Sequence, residues 1–153
     1  MKNGSQNFIG AALILIAFVF PSCAPKDDVK KSEAEVDRFH QRWNQWDFTG
    51  VYNNAHGDFR SAQDPQKTIW QLKHNRNFYG AFKSATQKSM NVSSEHSEKD
   101  ITFKYSCGYE HGNATEAFTF RMTGGKPLLM KYGMTPENVA KGEAEELKRK
   151  TNR

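Results

Sequence analysis

Cysteine is scarce in this chain of 153 residues, which contains only Cys23 and Cys107. Two cysteines cannot build the disulfide framework that holds many small secreted domains together. No spacing of cysteine and histidine resembles a zinc site, and surface positions suffice for most of the five histidines: His40, His56, His74, His96 and His111. The fold must therefore be stabilised by packing, for which eleven Phe, five Tyr and three Trp supply an aromatic core.

Long hydrophobic stretches are also missing. The apolar run from Phe8 to Phe20 is shorter than the roughly 20 residues that a membrane-spanning helix needs. It matches the apolar region of a secretory signal, since Lys2 precedes it and the small residue Ser22 follows it. We therefore expect residues 1–22 to be a signal peptide.

The end of this run resembles a bacterial lipoprotein signal with its lipobox, ending at Cys23. The resemblance implies cleavage before Cys23 and attachment of acyl chains such as palmitate, each buried CH₂ contributing about 0.8 kcal/mol to anchoring. Ala24 after the cysteine resembles the pattern of lipoproteins sent to the outer membrane, and Lys26-Asp27-Asp28 resembles a tag for surface exposure, with an ordinary solvated tether as its alternative. Phe20 and Pro21 depart from the usual lipobox, which leaves ordinary cleavage nearby or an uncleaved anchor as alternatives.

Charge is not concentrated in any run that would suit nucleic acid. The chain has 22 basic and 17 acidic residues, a formal net charge of +5, and the two signs are interspersed outside the C-terminal end. No basic segment is interleaved with aromatic residues, so nucleic acid is not an expected partner. Residues 137–153 are mostly charged or small and are expected to form a flexible tail.

The rest of the chain fits one domain. Residues 23–34 are polar and predict a lipidated tether, followed by a single folded domain over residues 35–136. Its first helix is indicated by an apolar stripe at helical spacing, formed by Val36, Phe39, Trp43 and Trp46.

Two more helices are predicted before the pattern changes. Asp47 is a candidate N-cap for a second helix over Phe48–Phe59, which Gly57 interrupts. Asp64 is the candidate cap of a third helix, and Gly80 is placed to end it.

After Phe82 the apolar period falls from about 3.6 to 2, which is typical of half-buried strands. Residues 84–93 predict a weak polar strand, and residues 101–109, 117–122 and 128–134 predict three clear ones. Short connections make neighbouring strands antiparallel. We therefore predict an α+β fold, with N-terminal helices packed on one face of a curved four-stranded antiparallel sheet.

Two strand residues carry specific expectations. Cys107 shares the inward face of its strand with Phe103 and Tyr105, which favours a buried small hydrophobic residue over a reactive nucleophile. The last strand is expected to present Leu128, Met130, Tyr132 and Met134 inward.

The order of three helices and four strands resembles the cystatin-like, nuclear-transport-factor-2-like group, in which a curved sheet wraps a helical layer. More narrowly, it resembles small uncharacterised bacterial lipoproteins of this type over roughly residues 35–134. The segments that carry this resemblance are Trp46–Tyr52, Ile69–Trp70, Arg76–Gly80, Tyr105–Tyr109 and Glu116–Phe120. The wider fold hosts dehydratases, isomerases, epoxide hydrolases and binding modules, so fold alone selects none of them.

The resemblance implies a pocket between the open end of the sheet and the helices. Residues that could reach it are Asp47, Tyr52, His56, Arg76, Tyr79, Tyr105 and Glu116. An acid–base mechanism needs a carboxylate or imidazole beside a proton-bearing carbon, and a tyrosine or arginine to stabilise negative charge; Asp47 with Arg76 or Tyr105 would supply these. The simpler interpretations are a helix cap for Asp47, a helix-end cation for Arg76 and a core aromatic for each tyrosine.

Glu116 is most simply explained as one half of a cross-strand pair with a lysine or arginine. No catalytic motif stands out, and neither a cofactor nor a metal is expected.

These observations predict a lipid-anchored protein of the cell envelope with one non-catalytic domain. The domain is expected to bind an envelope protein or a small apolar ligand. The alternative is a small lyase or isomerase with Asp47 or His56 as its base. A third interpretation is a homodimer that pairs through the exposed face of the sheet.

Overall fold

The computed structural model describes residues 25–95 and 98–137, with four helices followed by four strands. The elements are α1 (Pro25–Gln45), α2 (Phe48–Asn53), α3 (Gly57–Ala62), α4 (Pro65–Tyr79), β1 (Phe82–Glu95), β2 (Glu98–Tyr109), β3 (Asn113–Thr123) and β4 (Lys126–Pro136). The predicted signal peptide, Cys23 and the predicted tail beyond residue 137 lie outside the described residues. No helix in the described ranges is long and apolar enough to cross a membrane.

The four strands form one curved, unclosed sheet in the order β1-β2-β3-β4, and each neighbouring pair is antiparallel. This confirms the predicted α+β class, and the arrangement is compatible with a cystatin-like or nuclear-transport-factor-2-like fold. On β2 the alternating residues from Ile101 to Tyr109 are all buried, because this face of the sheet meets the helices.

Aromatic rings fill the space between the helices and the sheet. Trp43, Phe48, Phe103 and Phe118 are completely buried. The rings of Trp43 and Phe48 meet edge to face at 5.7 Å, and Phe39 of α1 meets Phe118 of β3 in the same way at 5.1 Å. Such edge-to-face pairs add to the stabilisation that comes from burial alone.

Helix α1 begins earlier than the sequence pattern predicts. Residues 25–34 belong to α1, whereas we expected a polar tether there. The reason is that this segment packs on the domain: Ser32 is fully buried, Val29 packs on the core, and Asp28 forms an ion pair with Lys99 of β2 at 2.6 Å.

The predicted second helix is two short helices. The cap at Asp47 is confirmed, since its carboxylate accepts a hydrogen bond from the backbone N–H of Gly50 at 2.9 Å. The helix ends at Asn53, and His56 then caps α3 through a hydrogen bond from Asp58 N–H to its Nδ1. Gly57 therefore starts a helix and does not merely interrupt one.

Both ends of α4 are as predicted. Asp64 accepts a hydrogen bond from the backbone N–H of Lys67 at 3.1 Å, and Gly80 ends the helix with φ of 80°. A side chain at Gly80 is excluded for two reasons. This φ favours glycine, and an added Cβ would lie 2.6 Å from Cβ of Glu110.

The inward face of β4 differs from the prediction at one position. The register shifts between Thr119 and Phe120, whose partners are Lys131 and Leu129. Met130 is therefore an extra residue in β4, a β-bulge. Because the bulge reverses the alternation, Leu129 pairs with the buried Phe120, and Leu128 pairs with Arg121 on the other face.

Candidate functional site

The carboxylate of Glu116 lies in the core of the domain. Glu116 is fully buried because it follows the same alternation as its β3 neighbours Ala114 and Phe118, which are also fully buried. Its in-register partners are Tyr105 of β2 and Met134 of β4. The predicted cross-strand pair with a lysine or arginine is therefore wrong.

Three side chains from three other elements donate hydrogen bonds to this carboxylate. Nε2 of His40 in α1 lies 2.7 Å from Glu116 Oε2, and Sγ of Cys107 in β2 lies 2.9 Å from the same oxygen. The hydroxyl of Tyr132 in β4 donates to Oε1 at 2.5 Å. We call His40, Cys107, Glu116 and Tyr132 the Glu116 cluster. Both carboxylate oxygens have donors, as a buried charge requires.

Glu116 is ionised at neutral pH. Burial is the largest single influence and raises the pKa of its carboxyl group, but it is outweighed by the hydrogen bond and charge of His40 together with the hydrogen bonds from Cys107 and Tyr132. The net effect is a pKa below the ordinary value. An ionised carboxylate only accepts hydrogen bonds, so we place the proton of the His40–Glu116 bond on Nε2.

Cys107 is buried, as predicted, and its thiol is protonated. Burial raises the pKa of the thiol, and the charge of Glu116 and the hydrogen bond to it raise it further. A protonated, buried thiol is a poor nucleophile. The structure thus supports the interpretation of Cys107 as a buried residue and not a reactive nucleophile.

His40 is a member of the core and not a surface histidine. It is 4% exposed, and its ring stacks on Phe82 with a centroid distance of 3.7 Å. The sequence did contain a signal for this position, because His40 follows Val36 by four residues and so lies on the apolar face of α1.

A further buried hydroxyl belongs to Tyr109 beside this cluster. Its ring packs against Trp43, Tyr79 and Phe82, and its hydroxyl makes no hydrogen bond at normal distance within the described residues. Burial raises the pKa of Tyr109, and the charge of nearby Glu116 raises it further. The hydroxyl is therefore an unsatisfied polar group near the carboxylate.

One surface cavity adjoins the Glu116 cluster. It has a volume of about 450 Å³ and lies between α3, α4 and β4; we call it the α4 cavity. Its apolar wall consists of Phe59, Ala62, Leu72, Met130, Tyr132 and Met134. The amide side chains of Gln63, Gln71 and Asn75 also line it. Tyr132 belongs to both sites, since it lines the cavity and its hydroxyl contacts Glu116.

A second cavity, of about 620 Å³, lies between α1, α2 and the turn from β3 to β4; we call it the α1 cavity. Its floor includes Phe39, Val51 and Phe120, and its lining carries the cations Lys31, Arg38, Arg42 and Lys126. Lys31 is paired with Asp27, Arg38 is paired with Glu35, and Arg42 donates to the carbonyl of Gly50. Three of these four cations are thus already engaged within the domain.

The candidate catalytic residues line neither cavity. Asp47 and His56 cap helices, as described above. Arg76 donates to the carbonyl of Trp43 at 3.3 Å and lies over the ring of Trp46 at 4.8 Å. Tyr105 donates to Gln87 at 3.2 Å, and burial raises its pKa to about 12. Each of these residues has a structural partner at a different place.

The other predicted pocket residues are also engaged in structure. The Tyr52 hydroxyl donates to the carbonyl of Arg60 at 2.7 Å, and Tyr79 is buried against Tyr109, which raises its pKa by desolvation. Of the residues expected to reach a pocket, Glu116 alone belongs to the cluster, and it does so with His40 and Tyr132, which sequence reasoning did not select.

Comparisons with known proteins leave the family open. No protein-family model matches the chain, and no curated protein matches it. Among solved structures, the chain is similar to Bd1075 of Bdellovibrio bacteriovorus, with a TM-score of 0.41 and 11% sequence identity. The match covers 73% of this chain and 43% of that one, so the chain spans less than half the length of this structural neighbour.

Proposed function

We propose that this protein is a lipid-anchored component of a bacterial cell envelope whose single domain binds a small, uncharged, largely apolar ligand in the α4 cavity. The observation that carries the proposal is the lining of that cavity, in which aliphatic and aromatic side chains dominate and Lys131 is the one charged residue.

The size and chemistry of the α4 cavity support this assignment. A volume of about 450 Å³ falls within the range of small-molecule sites, which combine an apolar wall with a few polar groups that orient the ligand. Gln71 and Asn75, one helical turn apart on α4, bond to each other at 3.1 Å and can both offer hydrogen bonds to a ligand. The α1 cavity is less suited to an uncharged ligand because of its cations.

The sequence supports the membrane anchor. Cleavage before Cys23 would leave Ala24 as the single residue between the lipidated cysteine and the start of α1 at Pro25. The domain would then sit directly on the membrane surface, without the tether of about a dozen residues that the sequence pattern suggested. The lyase or isomerase alternative has less support, because Asp47 and His56 both serve as helix caps and line neither cavity.

Binding is tested with the uncharged fluorescent probe N-phenyl-1-naphthylamine and a soluble form of the protein that begins at Ala24. Ala62→Trp places an indole in the α4 cavity from an exposed position on α3, and Ala34→Trp makes the matched change in the α1 cavity. We expect Ala62→Trp to weaken probe binding by about tenfold or more, the order expected from losing one buried apolar contact. Ala34→Trp should leave it unchanged.

The proposal fails if the folded protein does not bind the probe, or if only Ala34→Trp weakens binding. The anchor is tested separately, by the intact mass and membrane fractionation of the wild-type protein and Cys23→Ser. An unlipidated wild-type protein, or the same location for both proteins, contradicts the anchor without touching the cavity.

A further inference from the structure

We propose that the Glu116 cluster is a binding site for one divalent transition-metal ion, with His40, Cys107 and Glu116 as its ligands. Nε2 of His40, Sγ of Cys107 and a carboxylate oxygen of Glu116 all lie within 4.8 Å of one another. They come from α1, β2 and β3, so the fold gathers them from positions far apart in sequence.

Two of the three distances between ligand atoms are within about 1 Å of those in a tetrahedral site. Zinc lies about 2.0–2.1 Å from nitrogen and oxygen ligands and about 2.3 Å from sulfur, which places pairs of ligand atoms about 3.3–3.7 Å apart. Here Glu116 Oε2 lies 2.7 Å from His40 Nε2 and 2.9 Å from Cys107 Sγ. For an ion to replace the protons that now bridge these atoms, each of the two distances must therefore increase by less than about 1 Å.

The charges balance. With Cys107 as thiolate and Glu116 as carboxylate, the ligands carry two negative charges, which one divalent cation neutralises. On binding, Cys107 loses its thiol proton to solvent, and His40 coordinates through Nε2 as a neutral imidazole with its proton on Nδ1. No electron is transferred. A neutral metal-bound cluster suits a fully buried position, where an uncompensated charge is costly.

Two neighbouring hydroxyls support the assignment independently. Tyr109 is 5% exposed, and its buried hydroxyl makes no hydrogen bond at normal distance within the described residues. The charges of Glu116 and Cys107 both act on this hydroxyl, which places it beside two of the three ligands. Tyr132 already bonds the other oxygen of Glu116, as outer residues that orient metal-ligating carboxylates commonly do.

The donor set indicates the class of metal. One nitrogen, one sulfur and one oxygen ligand suit zinc and related transition ions, whereas magnesium and calcium prefer oxygen ligands alone. Cobalt(II) is therefore a suitable probe, since it occupies zinc sites and its absorption spectrum reports both a thiolate ligand and tetrahedral geometry.

The test uses the full chain carrying Cys23→Ser, purified in detergent and freed of metal with a chelator, so that Cys107 is the only thiol. Titration with Co²⁺ should give one bound ion per chain, a thiolate-to-cobalt charge-transfer band in the near ultraviolet and intense visible bands of tetrahedral cobalt. Zn²⁺ should displace the cobalt ion and abolish these bands. Loss of a residue that only orients a metal ligand commonly lowers metal affinity about 10–100-fold. Loss of a direct ligand by Cys107→Ala or His40→Gln should therefore lower it about 100-fold or more.

The matched control is His74→Gln, which changes an exposed histidine on α4 and should leave cobalt affinity unaltered. The proposal is overturned if the folded protein with Cys107 intact shows no charge-transfer band. It is also overturned if Cys107→Ala and His40→Gln bind cobalt as tightly as their parent. If both variants fail to fold, the spectrum and stoichiometry of the parent decide the matter alone.

Discussion

Nε2 of His40 lies 2.7 Å from Oε2 of Glu116, although the two residues are 76 positions apart in the chain. The side chains are 5% and 0% exposed, so the contact joins α1 to the centre of the sheet in the buried interior of the domain. Removing two polar groups from water is costly, and a buried pair of this kind is weak evidence for added stability. The contact does constrain the geometry of the fold, because α1 must lie where the imidazole of His40 reaches the carboxylate of Glu116.

Glu116→Ala should destabilise the domain by about 3–5 kcal/mol, because it leaves the donors of His40, Cys107 and Tyr132 buried without their acceptor. Glu116→Gln keeps an acceptor oxygen and should cost less. Urea unfolding followed by circular dichroism gives both values, with Asp37→Asn on the exposed side of α1 as the control. A loss below 1 kcal/mol for Glu116→Ala would contradict the assigned network.

Cys107 should resist thiol reagents in the folded, metal-free protein. It is 1% exposed, so a reagent cannot reach the sulfur. Burial together with Glu116 raises its pKa, so the reactive thiolate does not form. In a form that begins at Ala24 it is the only cysteine, and labelling by iodoacetamide can be followed by mass spectrometry. We expect full labelling in denaturant and almost none without it over the same time. Rapid native labelling at pH 8 would show that the cluster opens.

The ion pair between Asp100 and Arg121 should make stability depend on pH in the acid range. Two hydrogen bonds from Arg121, at 2.8 and 2.9 Å, hold the pKa of Asp100 below its ordinary value of 3.8, and the charges of Lys131 and His56 act in the same direction. A lowered pKa in the folded state means that the unfolded chain binds the proton more readily. The contribution of the ion pair to the free energy of unfolding is therefore complete above about pH 5 and is lost as the pH falls through the unfolded pKa and then the folded pKa.

Asp100→Asn should remove this acid dependence and lower stability at pH 7 by about 1 kcal/mol, the upper end for a partly exposed pair. Thermal unfolding at several pH values between 2.5 and 7 measures it. Asp27→Asn, at an exposed aspartate of α1, is the control and should leave the pH dependence as in wild type. Identical acid profiles for Asp100→Asn and wild type would count against the prediction.

Asp47 should behave as a helix cap. Asp47→Ala removes the acceptor for Gly50 N–H and should cost about 1 kcal/mol, while Asp47→Asn keeps an acceptor and should cost only a few tenths. Asp64→Ala on α4 provides a second cap for comparison. Equal, large losses for Asp47→Ala and Asp47→Asn would mean that the negative charge, and not the cap, is what matters.

Much of the candidate site could not be predicted from the sequence, because it depends on contacts between residues that are far apart in the chain. Glu116 stands in phase with Phe118 and Phe120, so its inward direction could be read from the alternation of β3. What could not be read was whether donors would meet it there. Those donors lie on α1, β2 and β4, and their meeting depends on the register of the strands and the position of α1.

The sequence by itself determined the local elements. Period-2 alternation with short turns determined the four antiparallel strands, and Asp47, Asp64 and Gly80 determined helix ends, because these features act between residues close in the chain. Only the tertiary structure decided that residues 25–34 continue α1, that β4 carries a bulge at Met130, and that His40 and Glu116 meet in the core. Each of these depends on contacts between segments that are distant in the chain. Such packing can override the local sequence pattern where it gives a buried polar group a hydrogen-bond partner.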